Sequence, residues 1–312
     1  MTPYRIDPTD LAIIEALQRD GRASNALIGE QTGLSGDAVR VRVSRMRAAG
    51  VIRIVGMVDP SSLGLEALAT IGIEYYGDMR EFIRFLRAQA EVTFDVTTLG
   101  RYNVIIAAAC RNAEELLEFA YGHVATMAGV RRLEIWSHLK IVKWETRFER
   151  GSFRPSTSPA QGALSEMDRR LLRYLVDDPR VNLKQVATEF DAPYQTVRRH
   201  AQGLFDRGIV RAATIVNRVL LEPVVMAALA LAINGRVDAA LAAVAKLDAV
   251  ELLVRTGGRF QAVAEIASRS IEELVSVVDE HISSIEGVQR VEIYRYAEIG
   301  VLPNIWSFPG QT

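Results

Sequence analysis

The chain has 312 residues with 37 basic and 38 acidic side chains, which gives a formal net charge of −1. This balance excludes a chain-wide attraction to polyanions, so any basic surface must be local. A single cysteine excludes an internal disulfide bond and favours a reducing compartment. The longest apolar run, at 224–233, is too short to span a bilayer as a helix, and the first residues lack a signal-peptide pattern. We therefore expect a cytoplasmic protein with no membrane partner.

Three short helices are predicted near the start of the chain. Asp7, Pro8 and Asp10 are typical of a helix start, because aspartate caps the first amides, proline fits the first turn and acidic groups favour the positive helix end. A second helix is predicted over Asn25–Thr32, followed by a short turn that contains glycine. Two helices joined in this way are the signature of a helix-turn-helix motif.

The stretch that begins with this turn, residues 33–53, carries four arginines within residues 40–47, and its secondary structure is ambiguous when it is considered alone. Residues 39–43 alternate between valine and arginine, as a half-buried strand would. A basic helix is the alternative.

The chain matches itself without gaps when it is shifted by 158 residues. We call residues 1–158 the first half and residues 159–312 the second half. A period this long indicates a duplicated module rather than a solenoid repeat. The matches include Asp10 with Asp168, Leu17 with Leu175, Gly50 with Gly208, Gly100-Arg101 with Gly258-Arg259, and Glu134-Ile135 with Glu292-Ile293.

The repeat predicts a helix for the basic stretch. The valine–arginine alternation is absent from the second half, whereas an apolar spacing of i, i+4, i+7 is kept, and this spacing marks one face of a helix. Ser35 is suited to cap the helix and Gly50 to end it. The arginines then lie off the buried stripe. The matching apolar positions are Val39, Val43 and Met46 in the first half and Val197, Ala201 and Leu204 in the second.

The second part of each half reads as strand, helix, strand, strand, helix, strand. This order predicts an antiparallel sheet with both helices on one face, a ferredoxin-like sandwich whose open face needs a partner. The fold class is therefore α+β, with two winged-type helix-turn-helix domains and two ferredoxin-like (βαββαβ) domains. In the first half the predicted elements are 67–75, 79–90, 92–99, 103–109, 112–127 and 130–143.

Five segments follow from this organisation. The seam between the halves is rich in proline, serine and glycine, as flexible linkers are. We predict helix-turn-helix domains at 1–56 and 164–214, ferredoxin-like ligand-binding domains at 57–148 and 215–312, and a linker at 149–163.

The sequence resembles the Lrp/AsnC family of transcription regulators, and the resemblance extends over nearly the whole chain, twice. It is carried by "IDPTDLAIIEALQRDGRAS", "GLSGDAVRVRVSRMRAAGVI", "VDPSSLG", "TLGRYNVIIAAA" and "GVRRLEIW", in this order. The family joins an N-terminal helix-turn-helix to a ligand-sensing RAM domain, binds DNA as dimers or larger assemblies, and often senses amino acids. The resemblance implies two protomers fused into one chain, with double-stranded DNA, a small-molecule effector and further copies of the chain as partners.

The third helix of each half is the expected DNA reader, because this helix of the motif enters the major groove. Arginine there can grip guanine or phosphate. The second reader departs from the first, since Pro193 replaces Ser35, His200 replaces Arg42 and Gly203 replaces Arg45, so we expect it to be the weaker one. The candidate DNA-binding residues are Ser35, Arg40, Arg42, Arg45, Arg47, Arg198, Arg199 and His200.

The turns between the two middle strands are the expected rim of the effector site, although ordinary hairpin turns would also contain their glycines. The family usually has an acidic residue where Asn103 and Gln261 stand here, which weakens the expectation of a simple amino acid as effector. The candidate residues are Gly100, Arg101, Tyr102, Asn103, Gly258, Arg259, Phe260 and Gln261.

Two other functions stay open. Siroheme decarboxylases share the two-part architecture, so a tetrapyrrole enzyme is the alternative, although the basic third helix argues against it. A ligand-binding module with vestigial DNA readers is the other. We expect no enzyme activity, no catalytic residue, no cofactor and no metal, since the four histidines and one cysteine lack the spacing of metal ligands.

Overall fold

The computed structural model of the chain describes residues 5–58, 60–144, 164–216 and 224–299. The predicted linker at 149–163 lies outside them. The chain divides into two compact units. The helical unit contains the described residues up to Ser62 and those of 164–216, and the sheet unit contains 63–144 and 224–299.

The secondary structure elements recur in the same order in both halves. Those of the first half are α1 Pro8–Arg19, α2 Asn25–Thr32, α3 Gly36–Ala48, β1 Ile52–Val58, β2 Ala67–Tyr75, α4 Met79–Arg87, β3 Val92–Leu99, β4 Val104–Cys110, α5 Ala113–Leu117 and β5 Val130–Trp144. Those of the second half are α6 Glu166–Asp177, α7 Leu183–Glu189, α8 Tyr194–Asp206, β6 Val210–Val216, β7 Val225–Ile233, α9 Val237–Val244, β8 Val250–Gly257, β9 Ala262–Ser268, α10 Ile271–Ser276 and β10 Val288–Ile299.

The helix starts follow from the capping residues that the sequence provides. Asp7 accepts a hydrogen bond of 2.8 Å from the amide of Asp10, and the Asp10 carboxylate accepts one from the amide of Asp7. Ser165 and Asp168 form the same reciprocal pair at α6. Ser35 caps α3 by accepting from the amide of Ala38 at 3.2 Å. Each bond satisfies an amide that has no partner inside its helix.

The basic stretch is a helix, as the repeat predicts. Val39, Val43 and Met46 are the buried residues of α3, and the matching positions are the buried residues of α8. Gly50 follows α3 with a φ of 69°, which glycine adopts without steric cost.

One strand follows each three-helix segment, and the two strands pair with each other. β1 and β6 are antiparallel, and their register is symmetric about Val55 and Ala213, which are themselves related by the 158-residue shift. The winged-type prediction is therefore wrong for the described residues, because a wing is a hairpin within one domain. β1 also packs closely against α6: a Cβ on Gly56 would lie 2.2 Å from the carbonyl oxygen of Leu175 in that helix.

The sheet unit is a closed barrel of eight strands in the order β10-β3-β4-β2-β5-β8-β9-β7. Each half contributes four antiparallel strands in the order expected of a βαββαβ sandwich. The two joints are β5 with β8 and β10 with β3, and they are equivalent under the 158-residue shift, as Ser137–Gly257 and Leu99–Arg295 illustrate.

The open face of each four-stranded sheet is covered within this chain. A buried aromatic cluster joins the two halves there and contains Tyr102, Trp136, Phe260, Tyr294 and Tyr296. The helices pack on the opposite faces over two separate apolar cores.

Two predicted helices differ in detail from the structure. The helix predicted over 79–90 ends at Arg87, and the one predicted over 112–127 is α5 followed by a π-helical segment, Glu118–Val124. A π-helical segment also follows α10, at Val277–Ile282. No helix in the described ranges is long and apolar enough to cross a membrane.

Candidate nucleic-acid interface and effector site

The solvent-facing side of α3 carries positive charge. Arg40 has 62% of its side chain exposed, and its Nε lies 3.2 Å from the exposed carboxylate of Asp37. Arg45 is also exposed, as are Arg198 and Arg199 on α8. These four arginines lie on the surfaces that a helix-turn-helix presents to DNA.

Arg42 does not belong to this exposed group. Its Nη1 donates to Asp7 at 2.7 Å and to Asp10 at 2.8 Å. These hydrogen bonds, with Asp7 first, raise the pKa of Arg42, and the bond from Arg42 lowers the pKa of Asp7. The prediction that Arg42 is free to contact DNA is therefore wrong. Its guanidinium fixes α3 to the start of α1.

His200 has the same structural role in the second half. Its Nδ1 lies 2.8 Å from the Asp168 carboxylate, which Arg207 also approaches at 3.5 Å. Burial opposes ionisation of Asp168, but the bonds from His200 and Ser165 outweigh burial and lower the pKa of Asp168. The prediction of a DNA contact by His200 is corrected in the same way as that for Arg42.

Arg47 contacts the second half rather than solvent alone. Its Nη2 lies 3.1 Å from the Asp178 carboxylate. Arg180 makes the reciprocal connection, since its Nη2 donates to the carbonyl oxygen of Ala23 at 3.1 Å and to Asn25 at 3.0 Å. The sequence predicts that Arg47 contacts DNA, but in the structure it instead forms an ion pair that links the two halves. Ser35 is confirmed as the cap of α3.

A cavity of about 230 Å³ lies beside these links in the helical unit. The guanidinium of Arg22 stacks on the ring of Phe205 at 3.8 Å from its centroid, and both residues line the cavity. Ala201 lines it too, at the position where the first half has Val43.

In the sheet unit, the two predicted effector turns each approach the last strand of the other half. A Cβ on Gly100 would lie 3.1 Å from the carbonyl oxygen of Ile293 in β10. A Cβ on Gly258 would lie 3.8 Å from that of Ile135 in β5. The structure thus brings both turns against strands of the other half.

The arginines of the two turns meet at Glu134 and Glu292, which we call the glutamate pair. Arg259 lies 2.6 Å from Glu292 and 3.5 Å from Glu134. Arg101 lies 4.0 Å from Glu292, and Arg290 lies 2.7 Å from it. This arrangement joins the two halves through charge, because Arg259 pairs with Glu134 of the first half and Arg101 approaches Glu292 of the second.

Each residue of the glutamate pair accepts a hydrogen bond from a tyrosine hydroxyl. The hydroxyl of Tyr102 donates to Glu134, and that of Tyr294 donates to Glu292. Burial first, and then the hydrogen bond to a carboxylate, raises the pKa of both tyrosines. Both therefore stay protonated at neutral pH and act as donors.

Four of the predicted turn residues have structural contacts. Tyr102 and Phe260 are 1% and 0% exposed and belong to the aromatic cluster. Asn103 bonds to the amide and carbonyl of Tyr75, at 2.9 and 2.7 Å, and Gln261 accepts from the amide of Ile233 at 2.8 Å. The burial of Tyr102 and Phe260 contradicts their prediction as rim residues. Asn103 and Gln261 are half-buried and stay predictions, and the side chains of Arg101 and Arg259 are exposed.

The glutamate pair and Tyr294 were not singled out from the sequence. A signal was present, because Glu134-Ile135 and Glu292-Ile293 match across the repeat. Within the described residues, no group of three or more histidine, cysteine, aspartate or glutamate side chains is placed to hold a metal ion.

A basic helix-turn-helix together with a ferredoxin-like sheet unit is the architecture of regulators that join a DNA-binding domain to a ligand-binding domain, although siroheme decarboxylases share it. Residues 6–47 match the AsnC-type helix-turn-helix domain, and residues 225–298 match the Lrp/AsnC ligand binding domain. The HTH-type transcriptional regulator FL11 of Pyrococcus furiosus is 32% identical over 143 residues, which cover 45% of this chain and 94% of that protein. The regulatory protein AsnC of Escherichia coli K12 is 31% identical over 137 residues, covering 43% and 90%. The chain belongs to the Lrp/AsnC family.

Solved structures of a siroheme decarboxylase resemble the chain over more than nine tenths of its length. The siroheme decarboxylase NirDL superposes with a TM-score of 0.67, covering 93% of this chain and 91% of that one, at 15% sequence identity. At this identity the likeness shows a shared fold.

Proposed function

We propose that the chain is a sequence-specific DNA-binding transcription regulator, cytoplasmic, whose affinity for DNA responds to a small molecule. The observation that carries this proposal is the exposed basic face of α3, with Arg40 and Arg45, inside the segment that matches the AsnC-type helix-turn-helix domain. The N-terminal part of such a helix reaches base edges, while flanking cations contact phosphates.

We also propose that the chain is two family protomers fused in tandem, with the segment boundaries derived from the sequence. The constant offset of 158 residues supports this, as does the symmetric register of β1 with β6. The two equivalent joints of the barrel support it as well. A homodimer has a true two-fold axis, and a fused pair keeps an approximate one.

The effector site proposed here consists of Arg101, Arg259 and the glutamate pair. An amino acid or a related metabolite suits this site, because a ligand carboxylate can bond to the arginines and an ammonium group to the glutamates. Arg259 has 37% of its side chain exposed, so a ligand can reach it. Such a ligand must compete with the existing ion pairs, which links its binding to the contact between the halves.

We propose an assembly of at least two chains. Leu117 and Val275 occupy equivalent positions on the second helix of each sandwich and are 51% and 46% exposed. Tyr121, at 53% exposure, extends the first of these surfaces. Light scattering that shows a strict monomer at micromolar concentration would contradict this part of the proposal.

Selection of genomic fragments by the purified full chain tests the regulator function. Enrichment of a defined set of fragments, lost in the variant Arg40→Ala/Arg45→Ala, is the expected result. The same fragments recovered by parent and variant, or no enrichment by either, would contradict it.

The alternative is a tetrapyrrole enzyme of the siroheme-decarboxylase type. The likeness to NirDL over 93% of the chain is the observation that favours it. The colour of the protein separates the two functions. A regulator is colourless and leaves the visible spectrum of added iron-uroporphyrin unchanged, whereas the enzyme would shift it.

A further inference from the structure

The two DNA-reading helices carry different side chains at the positions that face solvent. Shifting by 158 residues aligns α3 with α8 position by position. One basic position is shared, Arg40 with Arg198. The positions that differ include Asp37 with Gln195, Val41 with Arg199, Ser44 with Gln202, and Arg45 with Gly203.

We propose that the chain recognises an asymmetric DNA site made of two different half-sites, rather than a palindrome. This inference rests on the proposed DNA-binding function and specifies the class of DNA that it binds.

The argument starts from symmetry. A homodimer of helix-turn-helix domains presents two identical readers, so its operator mirrors its two-fold axis. Here β1 pairs with β6 of the same chain, about Val55 and Ala213. Every helical unit therefore contains one α3 and one α8. Even if identical chains exchanged these segments, β1 would still pair with β6, so one unit could not contain two copies of the same reading helix.

The strongest difference lies at Val41 and Arg199. Val41 is 47% exposed, and an apolar side chain in the major groove contacts the thymine methyl group. Arg199 is exposed at the equivalent position, and arginine there bonds to O6 and N7 of guanine. The two half-sites should therefore differ at the base pair that faces this position.

Even the shared arginine is held differently in the two readers. The Nε of Arg40 is bonded to Asp37 at 3.2 Å, which orients the guanidinium and offsets part of its charge. Gln195 replaces Asp37 in the second half, so Arg198 has a neutral residue three positions before it. Arg45, with Gly203 as its counterpart, adds a cation to the first reader alone.

Position 42 does not add to the difference in base readout. Arg42 and His200 are both bonded to aspartates at the start of the first helix of their segment. This shared anchoring keeps the two readers in equivalent orientations, so the difference in specificity comes from their exposed side chains.

The test begins with selection from a random duplex library by the full chain. The expected motif has two unlike half-sites whose centres are about ten base pairs apart, one helical turn. Three duplexes are then compared: the selected site and the two palindromes built from each half-site. The parent should bind the selected site roughly 5- to 150-fold more tightly than either palindrome, since one mismatched pair costs about 1–3 kcal/mol.

Changing one reader into the other sharpens the test. The parent should bind the selected site more tightly than the palindrome of the second half-site. Val41→Arg should reverse this order. Leu11→Arg is the matched control, because Leu11 is a 40% exposed apolar residue on α1 and the change adds the same charge elsewhere in the unit. This control should strengthen all three complexes alike. Thermal unfolding of both variants checks that they fold.

The outcomes separate the inference from the function on which it rests. Two identical half-sites one helical turn apart, equal affinity for the selected site and one palindrome, or a motif with a single half-site would each overturn the asymmetric site while leaving DNA binding intact. Recovery of no motif at all would overturn the proposed function itself.

Discussion

The guanidinium of Arg42 donates a 2.8 Å hydrogen bond to the carboxylate of Asp10, whose side chain is only 2% exposed. The DNA-reading helix is thereby anchored to the first helix of its segment. The second half repeats the contact with His200 and Asp168 at the same distance. Arg42 on the third helix thus has a structural role. Its loss should lower the stability of the fold more than it weakens DNA binding directly.

Arg42→Ala should lower the unfolding temperature of the helical unit by several degrees, because it removes the cation that bonds to Asp7 and to the buried Asp10. Arg40→Ala is the matched control on the same helix and should leave the unfolding temperature close to that of the parent, because its ion pair with Asp37 is exposed. Differential scanning calorimetry of the full chain measures both. Equal unfolding temperatures for Arg42→Ala and the parent would show that the ion pair is dispensable.

The fold was largely predictable because it depends on local patterns. The apolar spacing at Val39, Val43 and Met46 predicts α3, and Asp7 and Ser35 predict helix starts that the structure confirms. The same spacing does not predict which arginines are exposed, since Arg42 and Arg40 both lie off the buried stripe. Their roles differ because of Asp10, which is 32 residues distant from Arg42 in the chain.

Acid should destabilise the sheet unit through His138. Burial lowers its pKa to about 4 from an ordinary 6.5, and its Nε2 lies 2.9 Å from the hydroxyl of Thr70. Between these two pH values His138 is protonated in the unfolded chain but stays neutral in the folded one. The free energy of unfolding therefore falls as pH falls from 6.5 toward 4. The loss is on the order of 2–3 kcal/mol.

Urea unfolding at several pH values between 7 and 4 measures this loss, with His138→Gln as the test variant. The variant should lose less stability on acidification than the parent, because the position no longer titrates. His123→Gln is the control, since 57% of the His123 side chain is exposed. Parallel pH profiles for the parent and His138→Gln would exclude His138 as the source.

Ala201→Val should stabilise the helical unit by about 1 kcal/mol, the usual gain from filling a cavity. Ala201 lines the cavity of about 230 Å³, and the equivalent residue in the first half is Val43, so this backbone position accommodates valine. Chemical denaturation gives the difference. Ala187→Val, a buried site that does not line the cavity, should be neutral or destabilising. A less stable Ala201→Val would mean that the site cannot take the added methyl groups.

The effector turns show where prediction from sequence ends. Gly100 and Gly258 mark the turns correctly, because glycine and its spacing are local signals. The burial of Tyr102 and the meeting of Arg259 with Glu134 and Glu292 depend on closure of the barrel. The pair of Arg259 with Glu134 forms between the halves, so no spacing within one half encodes it, whereas Arg259 and Glu292 both belong to the second half.

Arg101→Gln/Arg259→Gln should weaken the effector response at least tenfold in ligand concentration, because charge-assisted bonds contribute about 1.5–3 kcal/mol each. The readout is the change in DNA affinity when each of the common amino acids is added in turn. Arg290→Gln, which removes another cation bonded to Glu292, is the control and should respond as the parent does. An unchanged response of the double variant would remove the turns from the site.

The most direct test of the regulator function is a salt titration of affinity for a selected DNA site, by fluorescence anisotropy, for the parent and two double variants. We predict that Arg40→Ala/Arg45→Ala weakens binding more than Arg198→Ala/Arg199→Ala, with unfolding temperatures near that of the parent because these side chains are exposed. Each lost phosphate contact should reduce the slope of log affinity against log salt by about 0.9, and each lost base contact should cost roughly 1–3 kcal/mol. Equal losses would mean that the two readers are equivalent. Unchanged affinity and slope in both variants would contradict DNA recognition by these helices, and the tetrapyrrole enzyme would then be the better account.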